Sequence, residues 1–461
     1  MKLLRAIPLA VLTSLFLMGC DSDDDPIEEV APELMQVRVI HASPDAPTVD
    51  IFAGTTAIDA LDDVDYQVAS GFLSLESGDY ELRAVANLPL GETLEVINAD
   101  VTLMPDTDYN VLAVGETAAI EALVVANPTT EVSSGNVRAQ VVHGAPNAPT
   151  VDVYVTAVDA VLADEQPLAT LSFKDFTEQV EVPAGDYQIR ITASGTTTVV
   201  YDSGAVTLAD GADLLITATE NVATGDSPVA LLVADGTASS VILDTNAQAS
   251  LRAIHAIADA PAVDVFADLE NADDILLFDN PAFKDVADYI SVMGATYAVD
   301  VVVAADNTTV AIDDAEVVLE NGVRYSALAN NTVAMADLDL VVDDGRRLAT
   351  AAQVRIFHAS PSTGGVDIYV TADGDLTDAT PSFTNVTYST DELAETGYVQ
   401  LPAGDYVVIV TPTGTTTAAI ETDVLTLDVG NIYTALAVDG DNTGDAPQLI
   451  LADDFITPTM N

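Results

Sequence analysis

The feature that most constrains this chain is a ten-residue pattern that begins with histidine and ends with aspartate. It occurs four times in 461 residues, and each copy lies between two short runs rich in β-branched residues. The histidines of the pattern are the only ones in the chain, and the pairs are His41 and Asp50, His143 and Asp152, His255 and Asp264, and His358 and Asp367. Recurrence at intervals of roughly 100 residues is typical of tandem copies of one domain.

Each repeat contains about seven short apolar runs with the alternation and β-branched content of strands, separated by turn-forming residues. Seven strands in roughly 100 residues are typical of an immunoglobulin-like sandwich. We therefore predict an all-β protein of four tandem immunoglobulin-like antiparallel β-sandwich domains. The predicted segments are a signal peptide over 1–20, an acidic tether over 21–36, and domains over 37–128, 137–245, 250–343 and 352–453.

The spacing of the histidines indicates a second level of order. His41 and His255 are 214 residues apart and His143 and His358 are 215 apart, whereas neighbouring histidines are separated by 102, 112 and 103 residues. Repeats two and four also share Pro-Ala-Gly-Asp-Tyr, at 183–187 and 402–406. We infer that a two-domain unit was duplicated, and this order predicts a specific contact within each pair.

Two smaller features lead to local predictions. A Leu precedes a Tyr by six residues at Tyr109, Tyr325 and Tyr433, a spacing that resembles the tyrosine corner, whose hydroxyl binds upstream backbone. The second repeat has Leu214 at this position and should lack that bond. The basic pair 346–347, in the joint before the fourth repeat, is predicted to be exposed linker.

The first twenty residues have the charge and apolar core of an export signal, with Lys2 and Arg5 ahead of an apolar run over 7–18. Residues 17–20, Leu-Met-Gly-Cys, resemble the lipobox of bacterial lipoproteins. The resemblance implies cleavage before Cys20 and lipidation of its sulfur, the only thiol in the chain. We therefore expect a lipid-anchored protein of a bacterial cell envelope, facing the periplasm or the cell surface.

The charge is strongly acidic, with 74 Asp and Glu against 13 Lys and Arg and a net charge of −61. Such a surface repels nucleic acid, so no nucleic-acid partner is expected. Most acids are scattered, as in a solvated coat, but three groups are close enough in sequence to be weak calcium candidates. Ordinary turns, such as Gly-Asp hairpin turns, also explain this pattern. The groups are Asp373, Asp375 and Asp378; Asp439, Asp441 and Asp445; and Asp62, Asp63 and Asp65.

The His-Ala-Ser-Pro-Asp-Ala-Pro-x-Val-Asp pattern, with the later Pro-Ala-Gly-Asp-Tyr, resembles the bacterial DUF4397 family, a domain of unknown function. The third repeat departs from the pattern at Ile257 and Ala258. The resemblance implies tandem β-sandwiches at the cell envelope. It implies no activity and no site residues.

The histidine and aspartate of each repeat could brace the connection between two strands, or could form one weak metal or ligand site per domain. One His and one Asp are too few ligands for tight zinc binding. Arg38, Arg252 and Arg355 precede the histidine by three residues, so alternation places them on the opposite strand face. An Arg–His–Asp site is therefore not expected, and the bracing role is favoured.

No nucleophile elbow, zincin helix or phosphate loop occurs in the sequence, so no enzyme is expected. The leading functional prediction is a non-enzymatic envelope protein that acts as a structural spacer or as a protein-interaction or adhesion module. Its partner would be an unidentified envelope or extracellular protein or glycan. The alternative is a calcium- or carbohydrate-binding envelope protein that uses the acidic loops.

Overall fold

The computed structural model describes residues 34–269, 274–390, 393–442 and 444–455. The predicted signal peptide, the lipidation site at Cys20 and most of the predicted tether lie outside these residues. Within the described part of the chain, no helix combines the length and the apolar character that crossing a bilayer requires.

The described residues form four β-sandwich domains, as predicted, joined by short polar segments. The first contains β1 (Leu34–Ala42), β2 (Val49–Ala53), β3 (Thr56–Ala57), β4 (Val68–Ala69), β5 (Leu73–Glu76), β6 (Gly78–Asn87), β7 (Thr93–Leu103), β8 (Thr107–Val114) and β9 (Glu121–Pro128). The second contains β10 (Asn136–His143), β11 (Val151–Ala157), β12 (Ala169–Leu171), β13 (Val180–Pro183), β14 (Gly185–Ala193), β15 (Val199–Leu208), β16 (Asp213–Glu220), β17 (Val229–Ala234) and β18 (Ser239–Ile242).

The other two domains repeat this order. The third contains β19 (Ala249–His255), β20 (Val263–Asp268), β21 (Ile275–Phe278), β22 (Ile290–Val292), β23 (Thr296–Val303), β24 (Val310–Val318), β25 (Arg324–Asn330) and β26 (Asp337–Asp343). The fourth contains β27 (Ala352–Ala359), β28 (Val366–Thr371), β29 (Phe383–Val386), β30 (Ala394–Glu395), β31 (Val399–Leu401), β32 (Gly404–Pro412), β33 (Ile420–Glu421), β34 (Leu425–Leu427), β35 (Ile432–Val438) and β36 (Gln448–Asp453). Short 3-10 turns lie at Asp59–Leu61, Pro89–Gly91, Thr117–Ala119, Leu162–Asp164 and Val333–Met335.

Each domain has an inner sheet that contains the histidine strand and an outer sheet that contains the aspartate strand. In the first domain the inner sheet has the order β4–β1–β8–β9, with β5 also paired to β1, and the outer sheet has the order β3–β2–β6–β7. The histidine strand pairs in parallel with a late strand in every domain: β1 with β8, β10 with β16, β19 with β25, and β27 with β35. This parallel pairing differs from the antiparallel arrangement that we predicted.

The inner sheets are covered on both faces, because the two domains of each pair pack through them. One face of β1 presents Val37 and Val39 to the sandwich core, while Ile40 and Ala42 face the second domain. The shared cluster also contains Leu112, Val114 and Val125 of the first domain and Val142, Leu215, Leu232 and Ala234 of the second. An equivalent cluster joins the third domain to the fourth, with Ile254, Ala256 and Leu328 against Phe357, Ala359, Leu436, Val438 and Ile450. The contact within each pair is thus confirmed, and each pair is a stack of four sheets.

The structure also shows the tyrosine corners and the point where the first strand begins. The Tyr109 hydroxyl accepts a hydrogen bond from the Met104 N–H at 2.8 Å, and Tyr325 and Tyr433 make the corresponding bond, which confirms the tyrosine corners. The boundary of the tether differs from the prediction, because β1 begins at Leu34 and Met35 is buried in the first core. Met35 belongs to the same alternating apolar row as Val37, so the last predicted tether residues are strand.

The prediction of an exposed basic joint is wrong for Arg346. Its guanidinium lies against the first domain, where it donates to the carbonyls of Pro44, at 3.0 Å, and of Ala46 and pairs with Asp65. It also stacks over the Tyr66 ring, 5.1 Å from the centroid. The joint therefore connects the two pairs, because backbone carbonyls in the first histidine connector attract a cation in an otherwise acidic protein.

Candidate functional site at the histidine connectors

The residues between histidine and aspartate form a connector that folds back over the imidazole. In every domain the histidine Nε2 lies 3.0–3.1 Å from the carbonyl oxygen six residues later, which belongs to Pro47, Pro149, Pro261 or Gly364. A carbonyl can only accept, so Nε2 carries the proton and Nδ1 is left as an acceptor. Nδ1 of His41, His255 and His358 then accepts the backbone N–H two residues later, at 3.3–3.4 Å.

The four imidazoles are buried inside the sandwiches. All four histidines are at most 2% exposed. Burial lowers the pKa of His41 to about 4, and burial also lowers the pKa values of His255 and His358. A charged imidazolium would lose its hydration inside the sandwich, which explains the direction of the shift. These rings are placed to hold the connector, with no face open to a substrate.

The aspartates accept hydrogen bonds from loops other than the histidine connector. Asp50 accepts the Asp63 N–H at 2.8 Å, and Asp264 accepts the Asn280 N–H at 2.8 Å. In the second and fourth domains the carboxylate also accepts the N–H of the hairpin glycine, Gly195 at 2.7 Å and Gly414 at 2.8 Å. The hydroxyl of Thr170 and the Gly195 N–H lower the pKa of Asp152, and the N–H groups of Gly414 and Asn385 lower that of Asp367.

The His and Asp of each repeat therefore belong to separate hydrogen-bond systems. The histidine fixes the connector from inside the sandwich, while the aspartate ties the start of the second strand to the loop and hairpin beside it. Sequence reasoning allowed the two side chains to meet, and the geometry directs them to different partners. Their shared role is to fix the loops at one end of the domain.

An aromatic residue covers three of the imidazoles and extends toward the neighbouring domain. Ring centroids are 6.2 Å apart for His41 and Tyr66, 6.5 Å for His255 and Phe283, and 6.3 Å for His358 and Tyr388. The Tyr66 hydroxyl donates to the Glu220 carbonyl of the second domain at 2.7 Å, and Tyr388 bonds Asn330 of the third domain at 2.9 Å. The histidine connectors and the pair interface are thus physically continuous.

The arginines that precede the histidines lie on the strand face opposite the histidine, as alternation predicted, and in the structure that face is the domain interface. Arg252 of the third domain pairs with Asp453 of the fourth at 2.7 Å, and Arg355 of the fourth pairs with Asp343 of the third. Sequence reasoning placed these arginines on the face opposite the histidine but assigned them no partner there, so it missed this network. The available signal was the apolar character of that face, at positions such as Ile40 and Ile254.

The calcium candidates are not assembled into a cation site. Asp373 and Asp375 accept N–H groups of their own turn, from Asp375 at 3.1 Å and Thr377 at 2.9 Å. Within the fourth domain's second acidic loop, the carboxylates already have protein partners: Asp439 binds Ser362, Asp441 pairs with Lys284 at 2.7 Å, and Asp445 binds Asn442. Across the described residues, Asp378 included, no group of three or more His, Cys, Asp or Glu side chains is placed to hold a metal ion.

Fold and connectors together define an all-β protein of tandem sandwiches in which each repeat carries one histidine-held connector. The chain belongs to the DUF4397 family, described as "Domain of unknown function (DUF4397)", whose pattern matches residues 35–154, 249–369 and 352–460. No curated protein matches the chain. One solved structure that resembles it is "The Bacillus anthracis TIE protein", with 12% identity over 90% of this chain and 75% of that one, and a TM-score of 0.17.

Proposed function

We propose that this protein is a lipid-anchored, non-enzymatic component of the bacterial cell envelope that acts as a spacer and interaction scaffold. The observation that carries the proposal is the packing of the four domains into two interlocked pairs. Within a pair the sandwiches share an apolar cluster, and ion pairs also cross the interface, such as Lys174 with Glu121 in the first pair and Arg252 with Asp453 in the second. Such packing supports a rigid body that holds its surfaces at a constant spacing.

The chemistry of the connectors supports a structural role over a catalytic one. A general base needs access to the proton that it removes. The four imidazoles are at most 2% exposed and are hydrogen-bonded to carbonyls of their own connectors. The histidines, which are the most distinctive residues of the repeats, therefore stabilise the fold. The partner in this proposal is an envelope or extracellular protein or glycan that contacts loops of more than one domain.

Lipidation at Cys20 is tested by fractionation of cells that produce the full chain. The proposal expects the wild-type protein in the membrane fraction and a Cys20→Ala variant released from it. Mass spectrometry of the mature N-terminus provides the second measurement, since a diacylglycerol adduct on Cys20 is expected. An unmodified wild-type N-terminus would contradict the anchor.

The scaffold role is tested by comparing the whole protein with one pair of domains. If a partner engages both pairs, its affinity for the full chain should exceed that for residues 244–455 by at least about tenfold, because linked sites raise effective concentration. The two proteins are used as immobilised baits against the same envelope extract, and each captured protein is then titrated in purified form. Equal affinity for the half-length bait would argue against a scaffold that uses both pairs.

One feature favours the carbohydrate-binding alternative. A cleft of about 660 Å³ lies between the loops of the third and fourth domains. Its lining includes Asp259, Asn331, Ser362, Asp439 and Asp441, side chains that can bind sugar hydroxyls. Calorimetry with envelope oligosaccharides tests this function directly, and the Asp259→Asn variant should weaken any binding seen there.

A further inference from the structure

The second domain lacks the tyrosine corner that the other three domains possess. In those domains the tyrosine hydroxyl accepts the N–H of the residue five positions earlier, from Met104 at 2.8 Å, Glu320 at 3.2 Å and Asp428 at 3.0 Å. The residue in this place of the second domain is Leu214, and the corresponding N–H belongs to Ala209. That N–H has no hydrogen-bond acceptor among the described residues.

A cleft of about 350 Å³ lies beside Leu214. The strand registers of the first two domains show that this cleft corresponds to the place of the Tyr109 ring in the first domain. In the outer sheets, Tyr187 pairs with Val206 as Tyr80 pairs with Val101. In the inner sheets, Ile216 pairs with Val233 as Val111 pairs with Val124. Five lining residues of the cleft, Ile189, Val206, Leu208, Ile216 and Val233, thus correspond to the neighbours of Tyr109, namely Leu82, Val101, Leu103, Val111 and Val124.

The remaining wall of the cleft is a hairpin at the edge of the inner sheet. Among the described residues, only the second domain has this hairpin. Strand β18 pairs with β17, and its residues Ser239 and Ile242 line the cleft. The hairpin is fixed on the first domain, because the Gly236 carbonyl accepts the Phe72 N–H at 3.0 Å and Ser239 accepts the Ala69 N–H at 3.0 Å. The cleft is therefore preformed, apolar at its base and bordered by polar groups, which are the properties of small-molecule sites.

We propose that this cleft binds a small para-substituted phenol. The ring would occupy the space that Tyr109 fills in the first domain, and the hydroxyl would accept the free Ala209 N–H. Apolar cavities left by a missing side chain bind aromatic molecules of matching shape. The same chemistry is present in a free phenolic compound and in the tyrosine side chain of a peptide. The proposal does not depend on the scaffold function.

The experiment is calorimetric titration of the full-length protein with p-cresol, with toluene, and with N-acetyl-tyrosinamide. We expect p-cresol to bind at one site per chain with a Kd at or below about 1 mM. Toluene should bind at least about tenfold more weakly, because it cannot accept the Ala209 N–H. Tighter binding of N-acetyl-tyrosinamide than of p-cresol would support the site and assign its ligand to a polypeptide. Binding of neither phenol, or equal binding of toluene, would overturn the proposal.

Two variants locate the site. Leu214→Tyr restores the tyrosine corner and should abolish p-cresol binding while raising the melting temperature, whereas Leu168→Tyr, at an exposed position, should leave binding unchanged. Undiminished binding by a folded Leu214→Tyr protein would place the phenol elsewhere and overturn the assignment.

Discussion

Arg252 of the third domain and Asp453 of the fourth form an ion pair of 2.7 Å across the interface of the second domain pair. Asp343, whose side chain is 2% exposed, lies between the two arginines: it pairs with Arg355 and is 3.8 Å from Arg252. In the first pair the positions of Asp343 and Arg355 are occupied by the neutral residues Asn127 and Gln140, and Asn127 donates to Gln140 at 2.8 Å. The two pairs thus share one interface geometry with different charges.

Removal of the Asp343 charge should strongly destabilise the second pair. The Asp343→Asn variant leaves the Arg355 guanidinium buried without its carboxylate, and breaking such a pair costs about 3–5 kcal/mol. The combined change Asp343→Asn with Arg355→Gln recreates the hydrogen-bonded pair of Asn127 and Gln140 found at these two positions in the first pair, and should recover most of that loss. Urea unfolding of the three proteins measures both effects. A loss below about 1 kcal/mol in the single variant would indicate that the ion pair contributes little.

Protonation of His41 should weaken the fold as the pH falls. Its folded pKa is lowered to about 4 from 6.5, so the unfolded chain takes up the proton first. The stability that neutral His41 contributes is complete above pH 6.5 and is lost between pH 6.5 and 4, with about 2 kcal/mol lost by pH 5. Unfolding free energies at several pH values between 7.5 and 5 should therefore fall less steeply in His41→Gln than in the wild type.

The imidazole resonances provide an independent measurement, since the chain contains only four histidines. The His41 resonances should titrate with a midpoint near pH 4, because burial opposes the charged form. A midpoint near 6.5 would mean that the connector leaves the ring accessible to water.

Arg346 should control the contact between the joint and the first domain. The side chain is 13% exposed and donates to two connector carbonyls, and charged hydrogen bonds of this kind contribute about 1.5–3 kcal/mol each. The Arg346→Ala variant should increase amide hydrogen exchange in residues 43–47. Arg347→Ala is the matched control, because Arg347 binds Gly430 and Asp454 of the fourth domain. Equal exchange in the two variants would show that Arg346 does not hold the connector.

The sequence was sufficient to predict the four sandwiches and the tyrosine corners, because both depend on local patterns. Alternation along 37–42 marks strand, and the spacing from Leu103 to Tyr109 places a hydroxyl beside an upstream N–H. Duplication of a two-domain unit also predicted contact within pairs. These features depend on neighbours in sequence or on repetition, so one chain contains enough information.

The interface chemistry could not be predicted in the same way. Arg252 and Asp453 are 201 residues apart, and no local pattern connects them. The role of Arg346 depends on carbonyls 300 and 302 residues away, which any sequence would offer. The parallel pairing of the first strand with a late strand likewise joins segments that are far apart in sequence. It depends on how the two sheets pack over the core.

Each pair of domains should fold as a unit, and a single domain should not remain soluble. In the third domain, Ile254 and Leu328 are at most 1% exposed, and both pack in the apolar cluster shared with the fourth domain. Residues 244–455 keep this cover and should unfold cooperatively as a monomer. Residues 244–347 expose the same apolar face and should self-associate, since large exposed apolar patches promote association. Sedimentation velocity distinguishes the two outcomes. The Ile254→Lys variant of the short fragment is the matched control, because a charge on that face should return it to a monomer; a monomeric unmodified fragment would contradict the obligate pairing.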